Sequence, residues 1–236
     1  MKAVILTGGR GTRLAPYTTV LPKPLMPIGN VPILEIILRQ IKHFGFSEVI
    51  MACGYLAELI QAYLMNNRIS RQVAISYHRE KEPLGTAGAL GDIAGLDDTF
   101  LVMNGDILTT LDYADLVRYH KEKNAALTVA ITKKRIQIEL GVLHLDEDNL
   151  IVDYDEKPVK EYPASTGIYI YEPSVLQHIE KNKYLDFPTL VLRLIEAGER
   201  VVGYHADTFW LDIGNKDDYE NAVQAFEENS LAFNID

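Results

Sequence analysis

Four apolar residues, Ala3-Val4-Ile5-Leu6, run without a polar break into Thr7-Gly8-Gly9-Arg10-Gly11-Thr12-Arg13. A short, wholly apolar run ended by glycine is how a strand buried on both faces of a parallel sheet reads. Such a strand needs helices on both sides, and the following residues supply them. Residues 32–44 place Ile33, Leu34, Ile37, Leu38 and Ile41 on one stripe, with Pro32 in the first turn and Gly45 as the stop. Strands are expected at 48–52, 72–77, 100–103 and 125–131, and helices at 56–64, 86–93 and 113–123. This alternation predicts an α/β fold, an open and mainly parallel sheet with helices on both faces.

The second half adds a small β region. Residues 142–145 and 150–154 flank Asp146-Glu147-Asp148-Asn149 and read as a hairpin. Strands at 168–171 and 201–204 and helices at 190–196 and 217–228 complete the pattern. With 236 residues and no linker or repeat, one domain over 1–236 is expected. An apolar content of 47% excludes intrinsic disorder, and a single cysteine, Cys53, excludes a disulfide scaffold. No apolar run reaches the ~18 residues of a membrane helix, and the first is too short for a signal peptide. A cytoplasmic protein without membrane partners is therefore expected. The formal charge of −10 argues against a nucleic-acid partner but not against a small anion, for which local charge decides.

Local charge is positive at the glycine turn. Gly8, Gly9 and Gly11 let the backbone approach a ligand closely, and inward N–H groups there make an anion nest. Arg10, Arg13 and Lys23 add cations, which suits a polyphosphate. The string lacks the Gly-Lys-Ser/Thr of a Walker A loop. It also fails the dinucleotide fingerprint, because Leu14 stands where the third glycine belongs.

The opening continues Leu14-Ala-Pro-Tyr-Thr, Leu21-Pro-Lys-Pro-Leu-Met-Pro-Ile and Val31-Pro-Ile-Leu. Further strings are Glu82-Pro-Leu-Gly-Thr-Ala-Gly, Asn104-Gly-Asp106, Asp155-Glu-Lys-Pro158, Ser165-Thr-Gly-Ile-Tyr169 and Trp210-Leu-Asp212-Ile-Gly. In this order they resemble the sugar-phosphate nucleotidyltransferases, also called nucleotide-sugar pyrophosphorylases, across nearly the whole chain. The resemblance implies a Rossmann-like nucleotidyltransferase fold, with a nucleotide-binding half at about 1–125 and a sugar-phosphate-binding half at about 126–236. The implied reaction joins a sugar 1-phosphate to a nucleoside triphosphate and releases pyrophosphate, with Mg²⁺ as cofactor. Many longer relatives add a left-handed β-helix domain; a sequence ending at Asp236 is expected to lack it. Relatives form dimers or tetramers, and the sequence leaves a homo-oligomer open.

Roles follow motif by motif from the resemblance. Gly8, Gly9, Arg10, Gly11, Thr12 and Arg13 would wrap the triphosphate, with Arg13 on the β- and γ-phosphates. Lys23, between two prolines, would meet the α-phosphate. Asp106 and Asp212 are the implied metal pair; hard carboxylate oxygens suit Mg²⁺, which keeps waters and phosphate oxygens in its shell. Glu156 would hold sugar hydroxyls and Lys157 the sugar phosphate. Gly141, Thr166 and Gly167 would line the sugar, although Leu140 stands where the family more often has tyrosine. The catalytic set is thus Arg13, Lys23, Asp106, Lys157 and Asp212.

The segment before Leu84-Gly85-Thr86 reads the base in this family. Thymidylyl- and uridylyltransferases typically carry glutamine where Glu80 falls, because an amide matches the donor and acceptor of N3–H and O4. A carboxylate only accepts, and so complements the adjacent N1–H and N2–H₂ of guanine. GTP is therefore favoured, with mannose 1-phosphate or a manno-heptose 1-phosphate, as in mannose-1-phosphate guanylyltransferases. Glu80 also has a plain reading as a surface charge, with the base read by the backbone of Leu6 and Gly85. The alternatives are dTTP, UTP or CTP with glucose or hexosamine 1-phosphate, and a non-catalytic nucleotide-sugar-binding protein.

Overall fold

The computed structural model describes residues 1–80 and 82–233. Its centre is a seven-stranded sheet in the order β12-β8-β11-β6-β1-β4-β5. The strands are β1 (Lys2–Thr7), β4 (Glu48–Cys53), β5 (Ala74–Arg79), β6 (Phe100–Asn104), β8 (Leu127–Gln137), β11 (Val159–Tyr171) and β12 (Val201–His205). Four neighbouring pairs are parallel, and β11 alone runs against the rest, between β6 and β8. The sheet is mostly parallel with helices on both faces, as read from the apolar runs.

β1 has the expected character of a central strand. Ala3 and Ile5 join one hydrophobic core, while Val4 joins the core on the opposite face. On the first face α1 (Ile33–His43) buries Ile33, Leu34, Ile37, Leu38 and Ile41 completely. α2 (Ala57–Met65), α4 (Tyr113–Glu122) and α6 (Lys216–Glu228) contribute to the same core, and α3 (Gly85–Gly88) and α5 (Phe187–Glu196) to the other.

Topology places the site. From β1 the chain builds outward to β4 and β5, then returns to β6 on the other side of β1. The gap between the carboxyl ends of β1 and β6 is the switch point of the sheet, where open α/β sheets bind ligands. Gly8 to Arg13 leave one of those ends, and Gly105 and Asp106 the other.

Several boundaries differ from the sequence expectations. β5 starts at Ala74, because the 3₁₀ turn Arg68–Arg71 still binds the amides of Gln72 and Val73 through the Ile69 carbonyl. The helix expected over 86–93 is a short α-turn followed by a 3₁₀ turn, pressed onto the 183–185 backbone: a Cβ on Gly88 would lie 2.5 Å from the Lys183 carbonyl. α5 begins three residues early, capped by Asp186, whose carboxylate accepts from the Thr189 amide (3.0 Å). β8 and β11 extend beyond the sheet as a polar ribbon tied by Arg135 and Glu161 (2.7 Å). The expected hairpin forms from β9 (Val142–Leu145) and β10 (Ile151–Asp155), between β8 and β11 in the chain. Two small pairings complete the fold, β2 (Pro27–Ile28) with β3 (Val31–Pro32), and β7 (Ile107–Thr109) with β13 (Trp210–Asp212). No described helix is long and apolar enough to cross a membrane.

Candidate active site

The glycine turn is held down from below. The Gly105 amide donates to the Leu6 carbonyl (2.9 Å), and a Cβ on Gly54 would come within 3.0 Å of the Gly8 oxygen. Gly11 takes a left-handed φ of 61°, and a Cβ there would meet Thr18 at 3.0 Å and the Lys23 stem at 3.4 Å. The Thr18 hydroxyl donates to the Gly11 carbonyl (2.7 Å), fixing the turn directly over Lys23. This is a position where glycine serves both conformation and close approach.

Beneath the turn lies the charge cluster. The β7–β13 ladder pairs Asp212 with Ile107, and the Ile213 amide donates to the Asp106 carbonyl (3.1 Å). Two aspartates 106 positions apart are thereby neighbours. The Lys23 ammonium bonds Asp106 Oδ2 and lies 3.5 Å from Asp212 Oδ1. Asp106 Oδ1 is buried without a hydrogen-bond partner. Burial is the largest influence on Asp106 and pushes its carboxyl up; Lys23 pulls it down and Asp212 pushes it up again. Arg13 closes the cluster, its guanidinium 3.4 Å from where a Cβ on Gly214 would stand, just past Asp212. Leu6, Thr7, Gly9, Gly11, Thr12, Arg13, Lys23, Pro24, Gly105 and Asp106 line a cavity of ≈ 260 Å³.

A second cavity, ≈ 310 Å³, shares Leu6, Gly9 and Asp106 with the first and adds Gly8, Glu80, Pro83, Gly85, Thr86 and Asn104. Glu80 Oε2 accepts from the Leu84 amide (2.9 Å), and Oε1 stands 3.1 Å from a Cβ built on Gly8. Its neighbour Lys81 lies outside the described residues. The Thr86 hydroxyl accepts from the Phe187 amide (2.8 Å), so it also braces the start of α5.

The other expected site residues divide. Arg10 lines neither cavity; its guanidinium sits 6.0 Å over the Tyr55 ring. Gly167 lines neither cavity but packs on one of their lining residues: its φ is 78°, and a Cβ there would come 2.6 Å from Asn104 Nδ2. Thr166 also lines neither cavity: its hydroxyl donates to the Ala130 carbonyl (2.8 Å) and its carbonyl accepts from the indole of Trp210 (2.8 Å). Gly141, just before β9, and Glu156 and Lys157, between β10 and β11, line neither cavity. There the Tyr154 hydroxyl donates to Glu156 (2.9 Å) and fills the space beside Gly141, where any Cβ would collide with it. Sequence reading missed Asn104 and Trp210 as site-forming residues, although both stood inside quoted strings. Gly167→Ala is expected to cost roughly 1–3 kcal/mol in denaturant unfolding and to lower turnover, through Asn104. Unchanged stability and turnover would contradict the close approach.

A crevice at the switch point, where a glycine turn, Arg13 and Lys23 meet paired aspartates, defines an α/β protein with a charged site at the edge where open sheets bind ligands. The chain matches the Nucleotidyl transferase family model over residues 2–229 and belongs to that family. It is 35% identical to a UTP–glucose-1-phosphate uridylyltransferase of Synechocystis sp., covering 95% of this chain and 63% of that protein. It is 34% identical to a probable mannose-1-phosphate guanylyltransferase of Oryza sativa subsp. japonica, covering 96% of this chain and 64% of that one. The chain thus spans under two thirds of the length of these relatives. Among solved structures it resembles HddC from Yersinia pseudotuberculosis, with a TM-score of 0.72, 25% identity, and coverage of 95% of this chain and 99% of that one. A putative glucose-1-phosphate thymidylyltransferase from Bacillus anthracis shares the fold, with a TM-score of 0.74, 24% identity, and coverage of 100% and 96%.

Proposed function

We propose that the chain is a sugar-1-phosphate nucleotidyltransferase. A phosphate oxygen of the sugar 1-phosphate attacks the α-phosphorus of a nucleoside triphosphate, the bond from that phosphorus to the bridging oxygen breaks, and pyrophosphate leaves. Both reactants are anions, so the protein's task is to position them and neutralise charge. The observation that carries this reading is the convergence of Arg13, Lys23, Asp106 and Asp212 beneath the glycine turn. In the proposal the turn amides and Arg13 hold the β- and γ-phosphates, and Lys23 meets the α-phosphate. Lys157 and Glu156 take the sugar phosphate and hydroxyls, with Gly141, Thr166 and Gly167 beside the sugar.

Mg²⁺ fits the residues present. Asp106 offers a buried oxygen without a partner, and Asp212 a carboxylate reached by the same lysine. No cluster of three or more His, Cys, Asp or Glu able to hold a metal occurs among the described residues. Two carboxylates suit a cation that keeps waters and takes the rest of its shell from substrate phosphates. When bound it would neutralise charge developing on the phosphates.

The favoured substrates are GTP with mannose 1-phosphate or a manno-heptose 1-phosphate. Glu80 supports this as an acceptor-only group in the cavity beside the turn, and rice relatives at similar identity are named guanylyltransferases. A second reading, UTP with glucose 1-phosphate, is favoured by the Synechocystis relative and by the bond that already draws Glu80 Oε2 to Leu84. A matrix of nucleoside triphosphates against sugar 1-phosphates separates the two. Glu80→Gln is expected to move the GTP-to-UTP ratio of kcat/KM towards UTP by about tenfold, within the 1–3 kcal/mol of one base-edge pair. An unchanged ratio would remove Glu80 from base reading.

A further inference from the structure

At the other end of the sheet, α1 ends at His43 and the chain enters β4 at its amino edge; the turn Arg68–Arg71 leads into β5 at the same edge. Between α1 and that turn lies a cavity of ≈ 480 Å³ lined by Glu35, Arg39, Lys42, His43, Asn67, Arg68, Ile69 and Gln72. Its one acid among the described residues, Glu35, is already paired. Glu35 is buried and accepts from Arg39 Nε (3.1 Å), Asn67 Nδ2 (2.5 Å) and the Tyr63 hydroxyl. Burial opposes its charge, yet these donors hold its carboxyl below the usual range, so it stays ionised and fixes Arg39 at the rim. With Arg39 set against Glu35, Lys42 and Arg68 leave two further positive charges among the described lining residues, in a protein of formal charge −10.

Helix electrostatics account for only part of this. Lys42 and His43 suit the carboxyl end of α1. Arg68 follows the Asn67 cap in a four-residue turn, too short for a helix dipole to account for its charge. The Gln72 side-chain carbonyl is taken by Lys42, which leaves the Gln72 amide as a donor. Cations and donors thus surround a concave space with buried Ile69 as part of its lining, and its volume suits a small ligand.

We infer that this cavity is a second anion site, for a phosphate or a small phosphate ester, remote from the switch-point crevice and independent of the nucleotidyl-transfer reading. The test is an amide-resolved NMR titration of the full chain with inorganic phosphate and, separately, glucose 6-phosphate. Shifts at Arg68, Ile69 and Gln72 are expected, and they report a site apart from any at Gly8 to Arg13. Tighter binding of glucose 6-phosphate would identify the ester as the better ligand; equal binding would identify the phosphate group alone. Lys42→Ala/Arg68→Ala should weaken the cavity shifts by about tenfold or more, the scale of one lost charge-assisted hydrogen bond, with turnover unchanged. Arg68→Lys should retain most of the affinity. Shifts confined to the Gly8–Arg13 turn, or cavity shifts of equal affinity in the folded double variant, would overturn the inference.

Discussion

Asp106→Asn and Asp212→Asn are each expected to cut turnover by about a thousandfold or more at saturating Mg²⁺, some 4 kcal/mol of transition-state stabilisation. The two acids are far apart in sequence, and the β7–β13 ladder brings them together at the crevice. Asparagine keeps the size of each side chain while halving its use to a hard cation. Neither variant should unfold the protein: each leaves Lys23 one carboxylate partner, and burial disfavours the Asp106 charge in any case. Denaturant midpoints near wild type together with lost turnover are the expected pair of results. Near-wild-type rates in both variants would take the aspartates out of the metal site.

Lys23→Met is expected to have two opposite effects. Turnover should fall by about a hundredfold or more, because no other cation among the described residues stands so close to both acids. Binding of Mn²⁺ in the absence of nucleotide should become tighter. In the wild type the ammonium contacts both carboxylates, and a divalent ion held by the proposed pair would have to displace it. Methionine keeps the length of the stem and removes that competitor. Electron paramagnetic resonance of free Mn²⁺ measures the affinity without relying on activity. Unchanged or weaker binding would mean that lysine and metal do not share the space.

The elements most legible in the sequence were those with one-sided or complete burial. β1, β4 and β6 read as apolar runs because both faces are covered, and α1 as a stripe because one face is. The outer stretches of β8 and β11 carried no such contrast. Residues such as Lys133, Lys134, Glu161 and Ser165 are exposed, so no period of two marks them. The β7–β13 pairing was equally hidden, since three-residue strands leave too few positions for a pattern. Residue type showed which groups carry the chemistry, but direction depended on tertiary partners. Arg10 turns to Tyr55, and the Thr166 hydroxyl turns to Ala130. Neither choice is written in the residues next to them.

The most direct test is pyrophosphate release from nucleoside triphosphate and sugar 1-phosphate pairs, with Mg²⁺ and with a chelator. At least one pair should release pyrophosphate in step with nucleotide-sugar formation, and the chelator should abolish it. No release from any pair, or release that persists without divalent cation, would contradict a single phosphate-and-metal centre built from Arg13, Lys23, Asp106 and Asp212.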